Sequence, residues 1–198
     1  MKRIIFLLSL LCSNYVIAQK MPDYGFDRVR ITREDRTLQF ETVPVKGRPV
    51  AKAELWYFWY SANQLQHTQG GYSGKLLNGS YRSYYLNKNL MEEGSFRAGL
   101  KNGSWKIWKE NGVLAEETSW QDGVMTGPFS KYDEAGELRL SGRYKNGLMN
   151  GPVRSTGGKD SLEITTWYKA GKITEHKPLL KRIHLFRRKR NSTQAVAP

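Results

Sequence analysis

The chain has 198 residues, of which 25% are charged and 12% are aromatic, and this composition excludes a disordered tract. Its 19 glycines follow no strict three-residue period, which excludes collagen and indicates many turns. The formal net charge of +14 favours an acidic partner, but seven of the cations and no acid lie in residues 176–198, so that residues 19–175 carry only +5.

The first 18 residues have the pattern of a secretory signal peptide. A positively charged start precedes an apolar run over residues 4–11, and Ala18 is the small residue before a cleavage that would leave Gln19 first. A lipoprotein signal is the alternative, but Leu11 is too large for the position before Cys12. Since Cys12 is the only cysteine, we expect an exported protein, periplasmic or secreted, without disulfides.

Residues 19–52 predict an N-terminal β cap. Val29 and Ile31 alternate with polar residues, a polar turn follows, and Leu38 and Phe40 alternate in the same way, as expected for a β-hairpin. An open meander leaves its first edge exposed, and such a hairpin would cover that edge. A separate recognition element is the alternative interpretation.

Residues 53–174 contain a repeat of 24 residues, which carries most of the information in the sequence. Four units each begin at a glycine and carry a second glycine 20 residues later. These repeat-defining turn glycines are Gly79, Gly99, Gly103, Gly123, Gly127, Gly147, Gly151 and Gly171. Aromatic residues recur 2, 5 and 17 positions after the first glycine, and a degenerate fifth unit precedes the four.

Each unit predicts one β-hairpin. Gly103 and Trp105 open a first strand, Asn111 and Gly112 tolerate the positive φ of a turn, and positions 11, 13, 15 and 17 of the unit share one face of the second strand. Position 15 is always glycine or threonine, which leaves room for a neighbouring aromatic ring. The glycines at positions 20 and 24 are expected in turns whose conformation is costly for other residues.

The segments Phe96–Gly103 and Tyr144–Gly151 resemble MORN repeats, whose core is Tyr-x-x-Gly-x-x-x-Gly. The 24-residue period and the opening Gly-x-Trp-x-x-Trp are closer to the bacterial MORN variant, here of a secreted Bacteroidetes type. Its members are commonly labelled YwqK-like antitoxins of toxin–antitoxin systems. The resemblance covers about residues 53–174.

The predicted fold class is therefore all-β. We expect an elongated antiparallel meander of about five 24-residue β-hairpin repeats in a single-layer MORN-like sheet, with an N-terminal β cap and a short basic C-terminal helix or tail.

Residues 175–198 predict a basic amphipathic or disordered tail. Leu179, Ile183 and Phe186 have the spacing of one helix face. The basic residues of the tail are Lys177, Lys181, Arg182, Arg187, Arg188, Lys189 and Arg190. A solvated tail without a partner is one interpretation, and reversible docking on an anionic membrane surface is the other.

The candidate aromatic binding face consists of Trp105, Trp108, Trp120 and Tyr144. One interpretation is cross-strand stacking that holds a thin sheet together, and the other is a surface for sugar rings or for a partner's apolar side chains. Trp105 and Trp108 point to opposite faces unless a bulge intervenes. Basic residues between them would suit single-stranded nucleic acid, but the predicted export argues against a nucleic-acid partner.

No catalytic, metal or cofactor site is predicted. The three histidines lack metal-ligand spacing, and Gly70–Lys75 lacks the full spacing of a phosphate loop. Glu92–Glu93 and Glu116–Glu117 recur at one repeat phase, which indicates a solvated stripe rather than the facing carboxylates of a hydrolase. Asp160–Leu162 is similar to a short O-glycosylation acceptor used by Bacteroidetes.

The sequence therefore predicts a non-enzymatic, secreted or periplasmic repeat protein that binds an unknown protein or glycan of the cell envelope or acts there as a scaffold. An antitoxin or immunity protein that masks a toxin is the alternative, which the family resemblance implies.

Overall fold

A computed structural model of the chain describes residues 28–47, 49–157 and 162–175. These residues form fifteen β-strands, and none of them belongs to a helix that could cross a membrane. The strands are β1 (Arg28–Thr32), β2 (Arg36–Glu41), β3 (Trp56–Ser61), β4 (Gln64–Gln69), β5 (Lys75–Leu76), β6 (Gly79–Tyr85), β7 (Leu90–Arg97), β8 (Leu100–Trp108), β9 (Leu114–Gln121), β10 (Val124–Tyr132), β11 (Leu138–Lys145), β12 (Leu148–Met149), β13 (Gly151–Ser155), β14 (Ile164–Lys169) and β15 (Lys172–Ile173). The predicted all-β fold is confirmed, while the proposed signal peptide, the start of the cap and the tail after Glu175 lie outside the described residues.

Twelve of these strands form one antiparallel sheet in which successive hairpins lie side by side. The order is β1-β2-β6-β7-β8-β9-β10-β11-β13-β14-β15, and β12 pairs with β11. Each 24-residue unit contributes one hairpin, such as β8 and β9, whose register places Trp105 opposite Thr118. The predicted meander of hairpins is therefore confirmed.

The segment expected to begin the meander leaves the sheet instead. Strands β3, β4 and β5 form a separate three-stranded sheet in the order β4-β3-β5, and β2 of the N-terminal hairpin pairs directly with β6, with Phe40 opposite Tyr81. The two ends of this excursion are held side by side, because Asn78 donates its N–H to the Glu41 carbonyl (2.9 Å) and accepts from Val43 N–H (3.2 Å). The cap hairpin thus extends the sheet past β6, and the intervening segment is free to fold over one face.

The three-stranded sheet covers the N-terminal part of the large sheet, so this part has two layers rather than the predicted single layer. Phe58 on β3 lies on Phe96, with ring centroids 4.9 Å apart, and Tyr60 meets Phe40 edge-on at 5.6 Å. Two covered layers give both sheets a water-excluded side, which a lone sheet does not have. The buried core of this part is Ile31, Leu38, Phe40, Leu77, Tyr81, Phe96 and Trp105.

Small residues at position 15 of the unit receive the aromatic rings of neighbouring strands, as predicted. A Cβ atom added to Gly94 would lie 2.3 Å from two ring atoms of Trp105, and one added to Gly142 would lie 2.9 Å from Phe129. The absence of a side chain is therefore what lets each ring lie flat across the adjacent strand.

Two-residue turns join successive units, and both residues of each turn have positive φ. In the turn Asp122–Gly123 the φ values are 46° and 83°, as in the type I′ turns that match the twist of a hairpin. The equivalent turns are Ala98–Gly99, Asn146–Gly147 and Ala170–Gly171. Positive φ is also found at the other repeat-defining glycines, which are Gly79, Gly103, Gly127 and Gly151.

The turn inside the unit differs from the predicted one. Only Gly112 of the Asn111–Gly112 pair has positive φ (84°), while the Asn111 side chain accepts a hydrogen bond from Val113 N–H at 3.0 Å. Five residues connect β8 to β9 here, and a turn closed by a side chain in this way requires a left-handed conformation only at the glycine.

Hydrogen bonds link each turn between units to the residues that follow the preceding turn, and they fix the spacing of successive units. Gly123 N–H donates to the Lys101 carbonyl, near the start of β8, at 2.9 Å. The side-chain oxygen of Asn102 accepts from Asp122 N–H at 3.4 Å. The equivalent side-chain bonds join Asn78 to Ala98 at 3.1 Å and Asn150 to Ala170 at 3.4 Å. Sequence reasoning missed this role, although asparagine at the position before the first glycine of a unit is its signal.

Candidate functional site

Trp105, predicted as part of an aromatic binding face, is a core residue. Only 2% of its surface is exposed, and its ring lies 5.0 Å from that of Phe96 and 5.5 Å from that of Tyr81. Because the ring rests over Gly94 inside the covered part of the sheet, it is not available to a ligand. The stacking interpretation is therefore the correct one for this residue.

The other three candidate aromatic residues are partly exposed. The Trp120 Nε1–H donates to Thr118 at 2.9 Å, and the ring of Tyr144 lies 4.7 Å from that of Phe129. Trp108 lies where the register between β8 and β9 shifts, so that it pairs with Leu114 after Ile107 pairs with Glu116. The four predicted residues thus do not form one exposed face.

A cation sits against the edge of the aromatic core. Lys101 Nζ lies 3.9 Å from the centroid of the Trp105 ring and donates to the Glu92 carboxylate at 2.9 Å. Burial raises the pKa of the Tyr81 phenol, and the nearby charge of Glu92 adds to this rise. Tyr81 therefore stays neutral, and the cluster has a structural role in closing the aromatic core.

The same face of the sheet continues beyond β9 with no second sheet over it in the described residues, although Phe129 and Val153 on this face are buried by their neighbours. The strand registers place Tyr144 opposite Met149, Tyr168 opposite Ile173, and Leu140 opposite Ser155. By these registers, Tyr144 and Tyr168 lie on the same face of the sheet as Phe96, which Phe58 covers. We call this surface the C-terminal apolar face, and it consists of Leu140, Tyr144, Met149, Ile164, Tyr168 and Ile173.

Two side chains of the C-terminal apolar face are open to solvent, and the other four are partly exposed. Ile164 is 63% exposed and Ile173 is 70% exposed, whereas Phe96 in the covered part is 4% exposed. Among the described residues, nothing on this side of β10–β15 repeats the cover that β3–β5 provides. Exposed apolar rows on a rigid sheet are typical of interaction surfaces.

The paired carboxylates of the second strands are bound to cations. Glu92 accepts from Lys101, Glu93 lies 2.7 Å from Arg82, and Glu116 lies 3.5 Å from Lys131. Within residues 28–47, 49–157 and 162–175, no three His, Cys, Asp or Glu side chains are arranged to hold a metal ion. These carboxylates therefore form cross-strand ion pairs on the sheet.

A cleft lies beside residues 70–75, the loop that was compared above with a phosphate loop. Its volume is about 660 Å³, and it is lined by residues 42–45 and 72–76 together with Gly47 and Pro49. Gly74 of the loop packs so closely on β3 that an added Cβ would lie 2.5 Å from the Tyr60 carbonyl oxygen. The loop thus connects β4 to β5 of the three-stranded sheet and packs against β3.

Two predicted features lie outside the described residues. They are the tail cations Lys177, Lys181, Arg182, Arg187, Arg188, Lys189 and Arg190, and the first two residues of the glycosylation-like motif, Asp160 and Ser161.

Comparison with known families agrees with the hairpin architecture. No curated protein is significantly similar to the chain. Residues 77–98 and 101–122 match the family described as MORN repeat variant, and these segments contain the hairpins β6–β7 and β8–β9. MORN repeats commonly mediate binding or scaffolding. The family match therefore coincides with the first two of the four full units in this sheet.

Proposed function

We propose that the chain is a non-enzymatic MORN-like repeat protein that acts as a binding or scaffold module in the cell envelope. The observation that supports this best is the C-terminal apolar face, where Ile164 and Ile173 are exposed on a sheet held by many cross-strand pairs. The leader-like first 18 residues support export to the periplasm or beyond. The partner is a protein or glycan that buries this face.

Contact through an apolar face of a flat sheet suits such a partner. A sheet presents its side chains in fixed rows, so a complementary surface meets them without a large loss of conformational entropy. Tyr144 and Tyr168 add aromatic surface with few rotatable bonds next to the isoleucines. The ion-paired carboxylates offer no unpaired acid and base for hydrolysis, which supports a non-enzymatic role.

Replacing both Ile164 and Ile173 with glutamate is expected to abolish capture of the envelope partner. Two charges at the centre of the contact would have to be desolvated, so the amount captured should fall at least about tenfold. Capture of envelope components on the immobilised mature chain, followed by mass spectrometry, measures this. Leu86→Glu is the matched control, because Leu86 is 66% exposed in the loop between β6 and β7. Equal capture by all three proteins would contradict the proposal.

We further propose that the basic tail docks on an anionic membrane surface. Seven cations without an acid in residues 176–198, each contributing about 1 kcal/mol near such a surface, would suffice to hold the chain there. The mature chain is expected to co-sediment with anionic vesicles but not with neutral ones. Deleting residues 177–198, or adding salt to about 0.5 M, should release it. Equal sedimentation with and without the tail would rule out this role.

An antitoxin or immunity protein is the second candidate function. The same apolar face would mask a toxin by covering its active surface, and the family resemblance favours this function. A toxin gene directly beside this one would support it, whereas the predicted export does not fit a toxin that acts in the cytosol.

A further inference from the structure

A row of polar residues crosses the face of the sheet opposite the aromatic core. The registers place Arg82 opposite Glu93, Glu93 opposite Lys106, and Lys106 opposite Glu117. Arg82 and Glu93 are 2.7 Å apart, and Lys106 and Glu117 are 3.8 Å apart. Charges along this row thus alternate in sign from strand to strand, which is the stabilising arrangement for cross-strand neighbours.

The alternation fails at the N-terminal end of the row. Beyond Arg82 the next residue is Gln39 on β2, and beyond Gln39 lies Arg30 on β1. Neighbouring strands are about 4.8 Å apart, so the two arginines flank a neutral residue from either side at about 10 Å between backbones. No carboxylate of the described residues contacts Arg30, whose side chain is exposed. Gln39 therefore occupies the position at which an acidic residue would continue the alternation of charges.

This place is a shallow cleft in which Arg28 is paired with Glu41. Arg82 donates its Nε–H to Glu93 at 2.7 Å, so it offers a ligand only its terminal N–H groups. Its volume is about 310 Å³, and its polar lining consists of Arg28, Arg30, Gln39, Glu41, Ser80 and Arg82. Glu41 accepts from Arg28 at 3.2 Å and from the Ser80 backbone N–H at 2.9 Å. The bond from Ser80 holds the pKa of Glu41 below its usual range. Since Glu41 is held in the neighbouring row, it does not neutralise Arg30.

We propose that this cleft binds a single oxyanion, a carboxylate, sulfate or phosphate group, between Arg30 and Arg82. Guanidinium groups hold such oxyanions through paired, charge-assisted hydrogen bonds, and the side chains of both arginines are long enough to converge over the strand between them. The Gln39 amide supplies a further N–H donor at the centre. The bound group completes the alternating row, and this inference is independent of the proposed partner of the C-terminal apolar face.

Titration of the full mature chain with inorganic phosphate or with glucuronate, at constant ionic strength, tests the site. The NMR signals of the Arg30 Nε–H group and of the Gln39 side-chain amide should shift and saturate, whereas the Arg82 Nε–H group stays bonded to Glu93. Gln39→Glu places a carboxylate at the missing position, so it should abolish these shifts while leaving both arginines present. Arg30→Gln should weaken binding at least about tenfold, as expected for the loss of charge-assisted hydrogen bonds.

Two control variants separate a site from general attraction to a basic protein. Gln64→Glu makes the same charge change on an exposed residue of β4, and Arg143→Gln removes an exposed cation of β11. Both should retain the saturating shifts. Saturation with phosphate alone or glucuronate alone would support the site and identify the geometry of its ligand. Shifts that rise linearly with anion concentration, or that persist in Gln39→Glu, would overturn it.

Discussion

Replacing Gly94 with valine is expected to lower the free energy of unfolding by about 3 kcal/mol. Gly94 does not have positive φ, so the cost is steric and not conformational. An added Cβ would lie 2.3 Å from the Trp105 ring, and this ring is held on its other sides by Phe96 and Tyr81. A buried ring enclosed in this way has no empty space into which to move.

Thermal or urea unfolding followed by circular dichroism measures this change. In a domain of this size the melting temperature should fall by about 6–12 °C. Gly71→Val is the matched control, because Gly71 also lacks positive φ and a Cβ there meets no atom within 4 Å. A Gly94 variant as stable as the Gly71 variant would show that the ring does not depend on the missing side chain.

Trp105→Ala is expected to destabilise the fold by about 3–5 kcal/mol, the range for removing a large buried aromatic side chain. Trp105 joins the rings of Tyr81 and Phe96 and lies beneath the Lys101 cation, so its loss opens a cavity between β6, β7 and β8. Chemical unfolding monitored by far-ultraviolet circular dichroism measures the loss, and the emission of Trp105 in the native state should be blue-shifted.

A matched variant distinguishes a core role from a surface role. Trp56 is 51% exposed at the start of β3, and Trp56→Ala should cost less than about 1.5 kcal/mol because most of the ring already contacts water. If both tryptophan variants unfold at the same denaturant concentration, the assignment of Trp105 to the core is wrong.

Covering only the N-terminal part of the sheet has a functional consequence. Phe58 covers Phe96 in the first unit, whereas Tyr144 and Tyr168, at the same position of later units, stay partly exposed. A partner at the C-terminal apolar face would therefore take the place that β3–β5 occupies at the other end. The packing of β3–β5 on the N-terminal part of the sheet is an example of the contact that such a partner would make.

The hairpin repeat and much of its internal geometry follow from the amino-acid sequence alone. Glycines at a fixed spacing predict the turns between units, and a small residue at position 15 predicts the close approach of a ring, as found at Gly94 and Gly142. These features are local, because they depend on the backbone conformation of a few residues and on contacts between adjacent strands. The side chains of the asparagines at 78, 102 and 150 accept hydrogen bonds from the next turn, and their position before the first glycine of a unit is an equally local feature of the sequence.

Which parts of the repeated sheet are covered depends on contacts between segments that are far apart in the chain. Residues 53–76 have aromatic residues like those of the other units, yet they leave the meander because Asn78 and Glu41 bring the cap hairpin against β6. This pairing joins residues that are far apart in sequence, so the repeat pattern contains no sign of it. The same pairing places β3–β5 over Phe96 and leaves the row beyond β9 open, so that Trp105 is buried while Ile164 and Ile173, farther along the same face, are exposed.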